Sequence, residues 1–173
     1  MNMLIDFEDK PTIFSKMGDE LQLSGSALAE LLQAVLDKKV PFRFRAKGFS
    51  MSPFIKDNDV ITVSPLTGDS TKSGDVVAFI RPIMKKLVIH RVVGKKGKYS
   101  KIKGDKITDA DDLIPVENIL GRVTKVERNG KEVFFGLGPE RFLIAFLSRK
   151  RLLFPLVYPI RRMVRPIVRR TSF

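Results

Sequence analysis

The chain has no cysteine and no tryptophan, a single histidine and only two tyrosines. Without cysteine there is no disulfide, no cysteine nucleophile and no thiolate metal site. One histidine does not make a self-contained His-rich zinc site, so no metal and no cofactor is expected. A run of about eighteen consecutive apolar residues, the length that would mark a conventional membrane span, is also missing. The N-terminal stretch Met1–Asp9 is acidic and does not read as a secretory signal peptide, so cytoplasmic residence is the default expectation. Neither a βαβ rhythm nor a phosphate-binding glycine motif occurs, which argues against a nucleotide enzyme. Acidic residues stop altogether after Glu140.

What is present suits one domain with appendages: 173 residues, 43% hydrophobic, with thirteen phenylalanines to build a core. Lys and Arg total 32 against 19 Asp and Glu, a formal net charge of +13. The excess is concentrated in Arg141, Arg149, Lys150, Arg151, Arg161, Arg162, Arg165, Arg169 and Arg170. Such asymmetry points to an anionic partner for this end of the chain: membrane lipid, nucleic acid or an acidic protein surface.

Three segments follow from the patterning. Residues 1–40 form an N-terminal helical extension, in which Ser24 or Ser26 caps a helix through Ala27–Leu36. Leu28, Leu31, Leu32, Val35 and Leu36 give it an apolar stripe suited to packing on the body, or to docking a partner. Residues 41–136 read as short strands and tight turns: Phe42–Ala46, Val60–Val63, Asp75–Ile80, Leu87–Val93, Tyr99–Lys103, Asn118–Val126 and Lys131–Phe135. The Asn129-Gly130 step is a strong hairpin signal. The expected fold is mostly β, a coiled, partly open, barrel-like sheet.

Residues 137–173 form a basic apolar tail, broken into short pieces by Pro155, Pro159 and Pro166. Arginines beside bulky apolar residues over 141–170 suit an interfacial segment on anionic lipid. A tail wrapped on its own domain or on a protein partner is the second reading. Nucleic acid is the third, against which the aliphatic content and the lone Tyr158 of this segment weigh.

The chemistry-bearing residues are few. Ser50 lies in Gly48-Phe49-Ser50-Met51-Ser52-Pro53, where a glycine permits a tight turn. His90, the sole histidine, lies in the β-type run Val88–Val93 and offers a base titrating near neutrality. A serine hydroxyl needs such a base, and the base needs a group to orient it. The acidic cluster Asp105, Asp109, Asp111 and Asp112 supplies candidates. Taken singly, these residues are a turn serine, a packed histidine and a solvated loop; their combination gives them weight.

Five blocks then stand in order: Gly48-x-Ser50-Met51-x-Pro53, Asp57-x-Asp59-x-Ile61, Gly74-Asp75-Val76-Val77-Ala78-Phe79, Ile89-His90-Arg91-Val92-Val93 and Lys103-Gly104-Asp105. Over roughly residues 43–124 this arrangement resembles the type I signal peptidase superfamily, which includes the self-cleaving repressors of the bacterial damage response. The histidine in the fourth block is similar to the endoplasmic-reticulum, archaeal and sporulation-type enzymes; other members use lysine.

The resemblance implies a serine endopeptidase in which Ser50 attacks the scissile carbonyl and His90 accepts its proton. Asp111 is the orienting carboxylate implied, with Asp109 and Asp112 behind it and Asp105 in support. Met51, Ser52 and Pro53 would line the substrate site, the substrate being a protein or peptide lying extended on the β surface. Family signal peptidases carry a membrane anchor before the serine block, whereas this chain has soluble-looking residues there. Asp57-Asn58 also stands where the family often shows Arg/Glu-Gly. A processing peptidase for a specific partner is therefore expected rather than a housekeeping signal peptidase, held at the inner face of the membrane by the basic tail. The alternatives are a non-catalytic peptide- or membrane-binding module on the same fold, and a nucleic-acid-associated regulator. No helix-turn-helix is evident before Pro41 to support the last.

Overall fold

The computed structural model describes residues 25–68, 71–82, 85–107 and 112–153. It is mostly β: a curled, open half-barrel sheet with a helix before it and a short helix after it. Helix α1 spans Gly25–Asp37 and α2 spans Arg141–Arg149. The strands are β1 (Phe42–Arg45), β2 (Val60–Pro65), β3 (Val76–Arg81), β4 (Lys86–Lys96), β5 (Tyr99–Lys103), β6 (Asp112–Pro115), β7 (Ile119–Arg128) and β8 (Lys131–Glu132). Their order across the sheet is β1-β2-β7-β3-β4-β5-β6, with β8 paired to β7, and every pairing is antiparallel.

The sheet curls because its ladders are interrupted. Register shifts fall at Thr62/Val63, Ala78/Phe79 and Val92/Gly94, and each extra residue bends its strand and increases local twist. Central strand β3 is buried on both faces, which explains its unbroken apolar run. Val76 and Ala78 enter one core cluster with Leu32, Leu36, Ile61 and Val63. Val77 and Phe79 enter a second, with Val92, Ile102, Ile114 and Ile119. A side-chain period of two thus feeds two separate cores from adjacent residues.

Helix α1 closes the first cluster through Leu32 and Leu36, and Ala29 is buried beside them on the same helix. The buried stripe is rotated from the expected one: Leu31 is exposed, and Ala29 takes a place at the contact. The helix approaches the sheet closely at Leu36. Gly121 on β7 permits this, since a Cβ there would stand 2.9 Å from Leu36 Cδ1 and 2.6 Å from the Ser64 carbonyl oxygen. A side chain at 121 would push α1 off the sheet.

Three elements differ from the sequence-based expectation. The Asn129-Gly130 hairpin forms, with both residues at positive φ (51° and 75°) as a primed turn requires. Its return strand stops at Glu132, however, and Phe134 and Phe135 turn out to solvent. The ladder ends there because the chain swings toward α2: Gly136 adopts φ 106° and packs against Phe54, leaving no room for a Cβ. Asp112, read as the end of an acidic loop, instead opens edge strand β6, which pairs with β5. Part of the basic tail folds as α2, burying Ile144, Ala145 and Ser148 against the body. Lys103 Nζ donates to the Ser148 carbonyl oxygen at 3.1 Å, fastening the helix to β5.

Candidate functional site

Ser50 sits in a compact turn. Gly48 begins it at φ 99°, a conformation that L side chains rarely adopt. The Gly48 N–H donates to Asp57 Oδ1 at 2.8 Å, Ser52 N–H to the Phe49 carbonyl at 3.1 Å, and both Phe54 and Ile55 N–H to the Met51 carbonyl at 3.1 Å. Met51 is buried in the core cluster under α1, so the turn hangs from a hydrophobic peg while Ser50, Ser52 and Pro53 remain half-buried. Asp59 strengthens the frame. It accepts from the Lys56 N–H at 2.8 Å and from Arg128 Nε and Nη2 at 2.8 and 2.6 Å. Burial pushes the Asp59 carboxyl up, but the hydrogen bonds and charge from Arg128 and the Lys56 backbone outweigh it and hold the group below its ordinary value.

His90 stands on β4 opposite Val77 of β3, its ring centroid 6.1 Å from that of Phe79. It is 5% exposed. The loop after β5 joins it to the serine turn. The Lys106 N–H donates to the Ser50 carbonyl oxygen at 2.8 Å, and the Ile107 N–H to the Gly104 carbonyl at 3.0 Å. Gly104 lies beside both the Ser50 backbone and the His90 ring: a Cβ there would be 2.9 Å from the Ser50 carbonyl oxygen and 3.0 Å from His90 Nε2. Those atoms are therefore no farther apart than the sum of two close contacts. Residues forty apart in sequence converge on one glycine.

Arg91 fixes that glycine in place. Strand alternation sends its side chain to the face opposite His90. There it is fully buried and donates from Nε and Nη2 to both Asp105 oxygens at 2.8–3.2 Å. Its Nη1 donates to the carbonyls of Gly74 and Gly136 at 2.9 and 2.8 Å. The guanidinium also lies 5.4 Å from the Phe54 ring centroid. Asp105 is 4% exposed, and burial pushes its carboxyl up while Arg91 pulls it down. One side chain thus ties β4, the Lys103-Gly104-Asp105 loop, the turn before β3 and the approach to α2. Asp105 pairs with Arg91, and the two hold the loop bearing Gly104 beside His90.

Asp109 and Asp111 lie outside the described residues. Asp112 opens β6, with its backbone opposite Ile102. Sequence reasoning missed the Arg91–Asp105 pair as a unit, although the signal was there. An arginine between His90 and Val92 on a buried strand must find a carboxylate or carbonyls, because an unpaired charge is not tolerated inside. It also missed Glu140, whose Oε1 accepts from the N–H groups of Gly136 and Gly138 at 2.6 and 3.1 Å. Burial raises the Glu140 carboxyl, and these backbone bonds, together with the Arg91 charge, bring it below its ordinary value.

A cavity of about 150 Å³ lies elsewhere, lined by Gly74, Asp75, Arg122, Thr124, Leu137 and Arg141 among others. Neither Ser50 nor His90 borders it. Among the described residues no helix is long and apolar enough to cross a membrane. No protein-family model matches the chain, and no curated protein matches it either.

Proposed function

We propose that the protein is a serine endopeptidase of the signal-peptidase type, acting on a specific protein or peptide. The observation that carries this reading is the convergence of the Ser50 turn and His90 Nε2 on Gly104. In the proposed reaction the Ser50 hydroxyl attacks the scissile carbonyl as His90 takes its proton. N–H groups of the Ser50 turn stabilise the developing oxyanion. His90 then returns the proton to the leaving amine. Water, deprotonated by the same imidazole, hydrolyses the acyl-enzyme. Asp111 is the proposed orienter of His90, with Asp109 and Asp112 as the alternatives, and the substrate lies extended along the sheet.

A second reading, a non-catalytic peptide-binding module on this fold, draws support from the low exposure of His90, 5%. One experiment separates the two. The intact chain is treated with a fluorophosphonate probe and analysed by intact mass and peptide mapping. The peptidase reading expects stoichiometric modification at Ser50, abolished in Ser50→Ala and slowed about 10²–10⁴-fold in His90→Ala. Circular dichroism checks that both variants stay folded. No labelling of the folded chain, or labelling that His90→Ala leaves unchanged, overturns the peptidase reading in favour of the module.

A further inference from the structure

Helix α2 is apolar on two faces. Ile144, Ala145 and Ser148 face the body. Phe142, Leu143 and Phe146 face outward, each at least half exposed. A surface helix in water ordinarily presents charged and polar residues there. The apolar surface extends beyond the helix. Phe134 and Phe135 are 73% and 66% exposed, and Leu152 is 46% exposed. Phe135 has its ring centroid 5.5 Å from that of Phe54, and Phe54 packs with Ile144 and Leu153. Turn and helix therefore rest on the same buried ring, Phe54. Contiguous exposed apolar surface of this kind marks an interaction site.

We propose that the outer face of α2, with the Phe134-Phe135 turn, docks on an anionic lipid surface. Charge selects this occupant. Arg149, Lys150 and Arg151 are exposed at the end of α2, and the Arg141 guanidinium lies 4.9 Å from the Phe142 ring centroid. A second copy of the chain would bring the same +13 charge and the same basic rim. The chain's own residues 154–173 add five arginines and no acidic group, so they too are mismatched with this rim. An anionic bilayer supplies both missing halves: headgroup charge for the rim and acyl depth for the rings. Docking places no demand on the Ser50 chemistry, so it is read without any catalytic assay.

The absence of tryptophan provides a clean reporter. Phe146→Trp in the full chain puts the only indole on the proposed docking face. With vesicles of phosphatidylcholine containing about 30 mol% phosphatidylglycerol, the emission should shift to the blue and the protein should co-sediment. Pure phosphatidylcholine should bind less, and added salt should weaken the anionic case. The triple substitution Phe142→Ser, Leu143→Ser and Phe146→Ser should lower partitioning about tenfold or more. Unshifted tryptophan emission with anionic vesicles overturns the proposal whether or not the triple variant folds. Undiminished binding by a folded triple variant also overturns it, assigning lipid affinity to the tail alone. A blue shift that grows with protein concentration in the absence of lipid overturns it in favour of self-association.

Discussion

Arg91→Met tests the element on which the candidate site depends. The native guanidinium donates to both Asp105 oxygens and to the Gly74 and Gly136 carbonyls, all out of contact with water. Methionine keeps much of the volume and none of the donors. Stranding Asp105 should cost about 3–5 kcal/mol, and the two orphaned carbonyls should add about 1–3 kcal/mol. A domain of this size has about 5–15 kcal/mol in total, so the variant should be marginal or unfolded. Removing the stranded charge as well, in Arg91→Met with Asp105→Leu, should leave only the carbonyl share, about 1–3 kcal/mol.

Urea unfolding followed by far-UV circular dichroism measures both variants, since there is no tryptophan to report. Acid gives an independent check. Burial already pushes the Asp105 carboxyl up in the presence of Arg91, and without Arg91 nothing named opposes that push. A carboxyl raised on folding favours the folded state below its unfolded value and loses that contribution as pH rises through the folded value. The single variant should therefore recover relative to wild type as pH falls toward about 4, and the double variant should not. A single-variant loss below about 1 kcal/mol, or equal losses in the two variants, would refute the reasoning.

Gly104→Ala places a methyl group 2.9 Å from the Ser50 carbonyl oxygen, 3.0 Å from His90 Nε2 and 2.8 Å from Ile107 Cδ1. Relief of that overlap should cost about 1–3 kcal/mol of stability. It should also slow probe labelling of Ser50 in the fraction that stays folded, whereas unchanged labelling would detach the glycine from the site. Asp59 and Glu140 are both held below their ordinary values, so their stabilisation is full above about pH 5 and fades as pH falls through the depressed values. Asp59→Asn should accordingly destabilise by about 1–3 kcal/mol at neutral pH, and by less in acid. A pH-independent loss would mean that the Asp59–Arg128 clamp contributes through shape alone.

Much of the architecture was legible from local pattern. Alternation in Phe42–Arg45, the apolar run before Arg81 and the Asn129-Gly130 step each correspond to an observed strand or turn. These signals depend on neighbours in sequence, where side-chain period and turn chemistry act directly. The helix stripe was read one step off. Leucine count favoured Leu31, but the helix turns Ala29, Leu32 and Leu36 inward and leaves Leu31 exposed. The length of β8 was not legible because its end is set by a remote partner: Gly136 must reach Phe54. Nor was β6, whose Leu113 and Ile114 gain their meaning only from pairing with β5.

The sequence by itself determined which groups the chemistry can draw on: one imidazole, no thiol, a serine in a glycine turn, and a C-terminal region with no acidic residue after Glu140. It determined the strand-rich body through alternation and turns. Tertiary structure alone decided that the Ser50 backbone carbonyl and His90 Nε2 both lie beside Gly104, that Arg91 and Asp105 pair in the interior, and that the Phe142, Leu143 and Phe146 face stays open to solvent. Composition fixes what each residue can do, because charge and hydrogen-bonding capacity belong to the residue. Proximity and burial belong to the packed fold, and here they arise from ladders and contacts between segments far apart in the chain.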